Sequence, residues 1–337
     1  MSGASNGCQN LSGSMMLDTK PSSAPRSILK KISTPRSPHR VHFIMPELDE
    51  IFGKISKNDT TLQDIDLRFK GIDVHLGKVL AEALKDNTSL TRLYLSGNNI
   101  GDEGAKALAE ALKVNRSLTR LDLLDTNIRD EGAKALAEAL KVNRSLTRLD
   151  LSGKNIGDEG EKALAEALKV NTSLTSICVS HIRTEGAKAL AEALKGNSVL
   201  QSINISYSNI GHEGAKALAE ALKDNSVLKS INISLSDIGD EGAKALAEAL
   251  RNNSVLQSID IWCGNIGDEG EKALEEAKKN RSSLNTISSQ DTQLCRGLGE
   301  TSDKNPVQID SSASQTESRY MWSFFNCCSN PPHILGQ

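Results

Sequence analysis

Aromatic side chains make up only 3% of this 337-residue chain, and no stretch approaches the roughly 20 consecutive apolar residues that cross a bilayer as a helix. The first scarcity excludes a core built on large rings; the second excludes a helical membrane span. The opening MSGASNGCQNLSGSMM has no basic start and no continuous apolar run, so no secretory signal is expected. Cys8, Cys178, Cys263, Cys295, Cys327 and Cys328 form no CxxC pair and no regular framework, which suits a reducing compartment, cytoplasmic or nuclear. The six histidines are equally scattered, and no zinc spacing results. One segment, Gly71 to Lys78 (GIDVHLGK), imitates a phosphate loop, but it has one residue too many between its glycines and Val79 where a Ser or Thr should hold magnesium. No catalytic constellation is found, so no enzymatic activity, cofactor or metal is expected.

What the chain has in abundance is a period. The stretch Leu90 to Arg116, LTRLYLSGNNIGDEGAKALAEALKVNR, returns with small edits. Its first leucine recurs at Leu118, Leu146, Leu174, Leu200, Leu228, Leu256 and Leu284, after a divergent copy that starts at Leu62. The step is 28 residues except between Leu174 and Leu200, where it is 26. A fixed period of this size overrides a domain count from length and points to one solenoid. Within each copy Leu93 and Leu95 alternate with Arg92 and Tyr94, as in a strand with one buried face. Asp102 then stands where a helix N-cap is expected, Leu108, Ala111 and Leu112 form a helical stripe, and Asn115 falls where a helix often ends in left-handed geometry. One strand and one helix cannot bury their own apolar sides, so copies must stack, with strands in a parallel sheet and helices outside it.

The pattern LxxLxLxxNxI over residues 90 to 100, at this length and with a full helix, resembles the leucine-rich repeats of ribonuclease inhibitor and related receptors, over residues 62 to 289. The resemblance implies an α/β leucine-rich repeat solenoid, a horseshoe with a parallel concave sheet and outer helices, flanked by disordered tails. That family's inward Asn is present as Asn98, but its equivalents are Thr126, Lys154, Ser208, Ser236 and Gly264, which puts the loop hydrogen bonds in doubt there. Asn99, Asn127, Asn155, Asn209 and Asn265, one position later, are candidates to compensate. The shortened copy, SICVSHIRTEG, has lost two residues beside His181, which is read as a surface or packing residue. Ahead of the repeats, residues 46–61 hold PELDEIFGKIS, with Leu48, Ile51, Phe52 and Ile55 at helical spacing and acids at the start, so a helix that caps the first layer is expected.

Residues 1–45 are rich in Ser, Pro and Gly and should be a disordered arm. Lys20, Arg26, Lys30, Lys31, Arg36 and Arg40 against Asp18 give it +5, and the chain's −3 leaves the remainder at −8. Recurring acids in GDEG disfavour phosphate at the helix starts, and no nucleic-acid partner is expected. Two apolar islands interrupt the arm: Ser27-Ile28-Leu29-Lys30 and, after nine residues, Arg40-Val41-His42-Phe43. In an extended chain Val41 and Phe43 point the same way, which suits strand addition at a sheet edge with two pockets. These islands resemble the SILK and RVxF docking motifs of regulatory proteins that bind the catalytic subunit of protein phosphatase 1, in the same order. The resemblance implies Val41 and Phe43 in two hydrophobic pockets, Ile28 and Leu29 in a separate groove, and Lys30 on an acidic rim. Thr34-Pro35 and Ser37-Pro38 between the islands read as proline-directed kinase sites. A phosphate would add about −1.5 to −2 charges beside Arg40 and weaken docking on an acidic surface.

On the sheet's solvent face, adjacent parallel strands place equivalent residues about 4.8 Å apart. Arg92, Arg120 and Arg148 should form one ladder beside Tyr94, Asp122 and Asp150, with the aspartates compensating the arginines. Further along, these columns become Ser and Asn, and Tyr207, Leu235 and Trp262 form a candidate apolar cluster near the strand exits. These nine residues are the candidate concave-face site for a second, unidentified protein. In the tail, residues 290–337, the aromatic cluster Tyr320 to Phe325 is read as a cover for the solenoid's open end; Cys327 and Cys328 are the alternative, as acyl acceptors at a membrane. The resulting expectation is a non-enzymatic scaffold that regulates or targets protein phosphatase 1. The rival readings are a general or innate-immune-type repeat protein whose arm is incidental, and a GTPase-activating protein like that for Ran, which shares the repeat class but carries an acidic tail missing here.

Overall fold

A computed structural model describes residues 46–153, 155–262, 264–281 and 285–287. The docking motifs, Thr34, Ser37, Lys154, Cys327 and Cys328 lie outside these residues.

The described chain alternates short strands with helices. Helix α1 (Pro46–Ser56) comes first. Strand–helix pairs follow: β1 (Asp64–Asp66) and α2 (Val74–Lys85), β2 (Arg92–Tyr94) and α3 (Gly101–Val114), β3 (Arg120–Asp122) and α4 (Asp130–Val142), β4 (Arg148–Asp150) and α5 (Asp158–Val170). Then come β5 (Ser176–Cys178) and α6 (Thr184–Gly196), β6 (Ser202–Asn204) and α7 (Gly211–Asp224), β7 (Ser230–Asn232) and α8 (Gly239–Asn252), β8 (Ser258–Asp260) and α9 (Asp268–Asn280), and finally β9 (Asn285–Ile287). The nine described strands form one parallel sheet in sequence order. Such a sheet fits a repeat because each right-handed crossover returns the chain one strand further on.

The interior is made of columns. Leu93, Leu121, Leu149, Ile177, Ile203, Ile231 and Ile259 fill the strand column, and Leu90, Leu118, Leu146, Leu174, Leu200, Leu228 and Leu256 fill the column before it; all are buried. On the helix side Leu108, Ala109, Ala111 and Leu112 repeat in the same way. Alanine here lets neighbouring helices approach closely, which is why so few aromatic residues suffice. Helix α1 buries Leu48, Phe52 and Ile55 against the first layer.

Two expectations about the helix ends are corrected. Asn115 is extended, at φ −64° and ψ 136°, not left-handed. Its side chain does the work instead: the amide donates to Leu84 O and Asn87 O, both at 2.8 Å, in the preceding repeat, and its oxygen accepts from Ser117 N and Leu118 N. The column is Asn87, Asn115, Asn143, Asn171, Asn197, Asn225 and Asn253, each closing the C-terminus of the preceding helix. Asn87 serves α1 through Ile55 O, and in the last described repeat the guanidinium of Arg281 reaches Leu250 O and Leu256 O. The second correction concerns Asp102, which lies inside the first turn of α3 and caps the next helix. Its Oδ1 accepts from Arg129 N at 2.8 Å and Gly132 N at 2.9 Å. Asp130 does the same for Gly157 and Gly160, and Asp240 for Gly267 and Gly270. Asp73, in contrast, caps its own helix through Leu76 N. Carboxylates at helix N-termini are favourable for the dipole as well as for the unpaired N–H groups.

Candidate functional site

The strand register places the predicted ladders as expected, with Arg92 opposite Arg120, Arg120 opposite Arg148, Tyr94 opposite Asp122 and Asp122 opposite Asp150. The Arg120 charge acts on Asp150 as expected, but at Arg92 the compensation comes from elsewhere. Arg92 is paired with Asp64 of β1 through both carboxylate oxygens, and this contact holds the Asp64 carboxyl below its usual range. Arg68 pairs with Asp66 at 2.6 Å and lowers it likewise. Arg68 and Arg120 both lie over the Tyr94 ring, 5.6 and 5.1 Å from its centroid, a cation–π arrangement of the kind that favours Arg over Lys. Asp64, Asp66 and Arg68 were missed in the sequence because the first copy is divergent. Counting 28 residues back from Arg92 and Tyr94 would have found both aspartates.

The aspartate rungs are the most unusual part. Asp122 accepts from Ser96 Oγ at 2.7 Å and from Leu124 N at 3.1 Å; Asp150 accepts from Ser152 N at 2.9 Å. Arg120 is only 8% exposed and Asp150 only 7%. Burial first, and then the neighbouring Asp122 charge, push the Asp150 carboxyl up to about 7, against the opposing bonds from Ser152 and the charge of Arg120. Because this value is raised above that of an exposed carboxyl, the stability it contributes is held at low pH and lost as pH rises through about 7. Asp122→Asn is therefore expected to move the Asp150 titration downward, read as a carboxyl chemical shift against pH by NMR. An unchanged midpoint would show that Asp122 does not act on it.

A small depression of about 10 Å³, room for about one water, opens here, lined by Arg120, Arg148, Asp150, Ser176 and Cys178 among others. Its rim presents the half-buried Arg148 guanidinium and Ser176 hydroxyl, while Arg120 and Asp150 lie buried beneath it rather than on a solvent face. Cys178 is buried. Among the described residues no group of three or more His, Cys, Asp or Glu is placed to hold a metal.

The second predicted patch is partly assembled. Tyr207 and Leu235 share one column, both at φ 56°, where the second repeat has Gly97 at φ 68°. Positive φ costs a bulky L-residue about 1–2 kcal/mol, so the surrounding ladder must impose it. Tyr207 N donates to Ser234 O at 2.9 Å and Leu235 N to Trp262 O at 2.6 Å. Trp262 belongs to the neighbouring column, where its N–H donates to Ser234 Oγ. His181, at φ 60°, is half-buried in the Tyr207 column, with Nδ1 3.1 Å from Ser180 Oγ.

The loop positions that lack the inward asparagine are served in several ways. Asn98 accepts from Ile72 N and donates to Leu67 O and Leu95 O. Ser208 Oγ replaces it by accepting from Ile182 N at 3.0 Å, and Thr126 Oγ1 donates to Leu123 O at 2.6 Å. The later asparagines do not compensate through their side chains. Asn127 donates to Asn99 and Asn155 to Asn127, forming an exposed amide ladder.

Comparison with known proteins adds two family matches. A profile described as "TMOD/LMOD Leucine-rich domain" matches residues 46–186, and one described as "Leucine Rich repeat" matches residues 196–219 and 224–247. No curated protein matches the chain. Among solved structures, one described as "Leiomodin-1 Actin-Binding Site 2 (ABS2)" is 25% identical, covers 44% of this chain and 88% of its own, and superposes with a TM-score of 0.40. The tropomodulin C-terminal domain of Caenorhabditis elegans is 15% identical, over 50% of this chain and 98% of its own, with a TM-score of 0.38. The columns of buried Leu, Ile and Ala, the nine-stranded parallel sheet and both family matches lead to one statement: the described chain is a leucine-rich repeat solenoid.

Proposed function

We propose that this chain is a protein-binding scaffold whose arm recruits the catalytic subunit of protein phosphatase 1 while the sheet face of the solenoid holds a second protein. The observation that carries the reading is the pair of motifs in one basic arm: Ser27 to Lys30 followed, nine residues later, by Arg40 to Phe43. Either motif alone is short enough to arise by chance; both, in the order of phosphatase regulators and beside Lys31 and Arg36, are a more specific signal. Docking by strand addition requires an extended, accessible segment, and a Ser- and Pro-rich composition favours one. The groups the sheet face leaves for a second partner are the exposed Arg92 and the half-buried Arg148, on rigid strands.

The test is calorimetry of the full chain with purified phosphatase catalytic subunit, comparing wild type with the double variant Val41→Ala/Phe43→Ala. Truncating two anchor side chains at about 2 kcal/mol or more each is expected to weaken binding by roughly a thousandfold. Equal affinities, or no binding by the wild type, would defeat the proposal. Two further measurements address other readings: sedimentation with filamentous actin, because the leiomodin structure is of an actin-binding site, and stimulation of GTP hydrolysis by Ran.

A further inference from the structure

One joint in the solenoid has a glutamate where the others are capped or bare. The two residues missing beside His181 shorten the loop that leads from β5 into α6. At this joint Asp158, which stands in the column where Asp102, Asp130 and Asp240 cap the next helix, is drawn instead to the side chain of Arg183, with Oδ1 2.8 Å from Nη1. The backbone N–H of Arg183, whose counterpart in Arg129 donates to Asp102, donates to Glu161 Oε2 at 3.3 Å. Glu161 is itself an exception. The matching position is alanine in α3, α4, α6, α7 and α8, and the other glutamate, Glu271, lies in α9, which no described helix follows.

The carboxyl of Glu161 is enclosed between α5 and the start of α6, against Gly186, with the residue only 2% exposed. Its Oε1 is buried without a hydrogen-bond partner. An ionised carboxyl in that position lacks the bonds it needs, whereas a protonated one costs far less to bury. The charges that face it are Asp158 on its own helix, Asp130 on α4 and Arg183 ahead of α6, two acids against one base. The same joint separates two kinds of surface. The strand columns change from Arg and Asp in β4 to Ser and Cys in β5, and one family match ends at residue 186 while the next begins at 196.

We propose that the α5–α6 joint is a proton-operated hinge: protonated Glu161 locks the two helices together, and its ionisation loosens them between the Arg/Asp half and the Ser/Asn half of the sheet. Burial first, then the Asp158 and Asp130 charges, raise the Glu161 carboxyl to about 7, opposed by the Arg183 N–H and charge. A raised value means that the locking contribution is complete in acid and is lost as pH rises through about 7.

The experiment is hydrogen exchange of the full chain at about pH 6 and about pH 8, read by mass spectrometry and corrected for intrinsic exchange. A carboxyl that moves between a buried value of about 7 and the ordinary 4.5 predicts about tenfold less protection at the higher pH in peptides covering α5 and the first turn of α6. Glu161→Gln should abolish that difference, while Asp150→Asn and Asp260→Asn, which remove the two other carboxyls raised by burial among the described residues, should leave it. If the glutamine variant fails to fold by circular dichroism, Glu161→Ala takes its place, since alanine is what the other copies carry. A pH response that persists in either folded Glu161 variant, or that spreads evenly over all the joints, overturns the proposal. Its loss at this joint alone supports it.

Discussion

Asn143→Ala is expected to lower the unfolding free energy by about 3 kcal/mol, although the residue touches no candidate ligand site. Asn143 is fully buried, and its amide donates to Leu112 O at 2.7 Å and Asn115 O at 3.3 Å while its oxygen accepts from Ser145 N and Leu146 N. These bonds close the end of α3 and fix the turn into β4, so one side chain joins two repeats. Alanine leaves several backbone groups without partners in a dry interior, at about 1–3 kcal/mol each, and the sum is reduced by relaxation. Urea unfolding followed by helical circular dichroism measures the loss. Asn99→Ala is the control: this exposed rung makes a side-chain bond to Asn127 and should change stability by about 0.5 kcal/mol or less. If Asn143→Ala is as mild as Asn99→Ala, water must replace the buried amide and the column is not what binds the repeats.

Gly132→Ala should be nearly as damaging by a different route. A Cβ at that position would lie 2.8 Å from Asp102 Oδ1, 2.8 Å from Ile128 Cγ2 and 2.9 Å from Ala105 Cβ. The methyl has nowhere to go, since α3, the cap that α3 supplies and the start of α4 all close on it. Overpacking of this kind costs about 1–3 kcal/mol, and displacement of Asp102 removes the acceptor for Arg129 N and Gly132 N as well. A fall in melting temperature of roughly 5–10 °C is the expected readout. The double variant Asp102→Ala/Gly132→Ala should lose less than the two single losses added, because both act on one contact. Strict additivity would mean that the glycine and the cap are independent.

The periodic part of the structure was legible because it is local or repeats at a constant step. Alternation identified Leu93 and Leu95 as buried, helical spacing identified Leu108, Ala111 and Leu112, and the 28-residue step set Arg92, Arg120 and Arg148 in register. What could not be read was which copy a polar side chain serves. Asp102 stands at the start of its own helix in the sequence, yet its partners are 27 and 30 residues away. Asn115 follows its own helix, yet it closes the one before. Along a chain these alternatives differ only in which of two equally spaced neighbours is meant, and three-dimensional stacking decides. The candidate face was half legible for a related reason: the ladders were visible, but the acid that neutralises Arg92 sits in the one divergent copy. The docking arm stands on sequence alone, since Val41 and Phe43 lie outside the described residues.

The crosswise capping has a consequence for how such an array grows. A copied segment brings an acceptor meant for its successor and an amide meant for its predecessor, so a new unit fits only between neighbours that offer the matching halves. Near-uniformity of the helices, KALAEAL from copy to copy, is then a condition of interchange, like a common thread on bolts. Whole units can be gained or lost without redesign. A fractional loss is another matter, and the repeat that dropped two residues is the one where the preceding helix had to supply a new acceptor, Glu161.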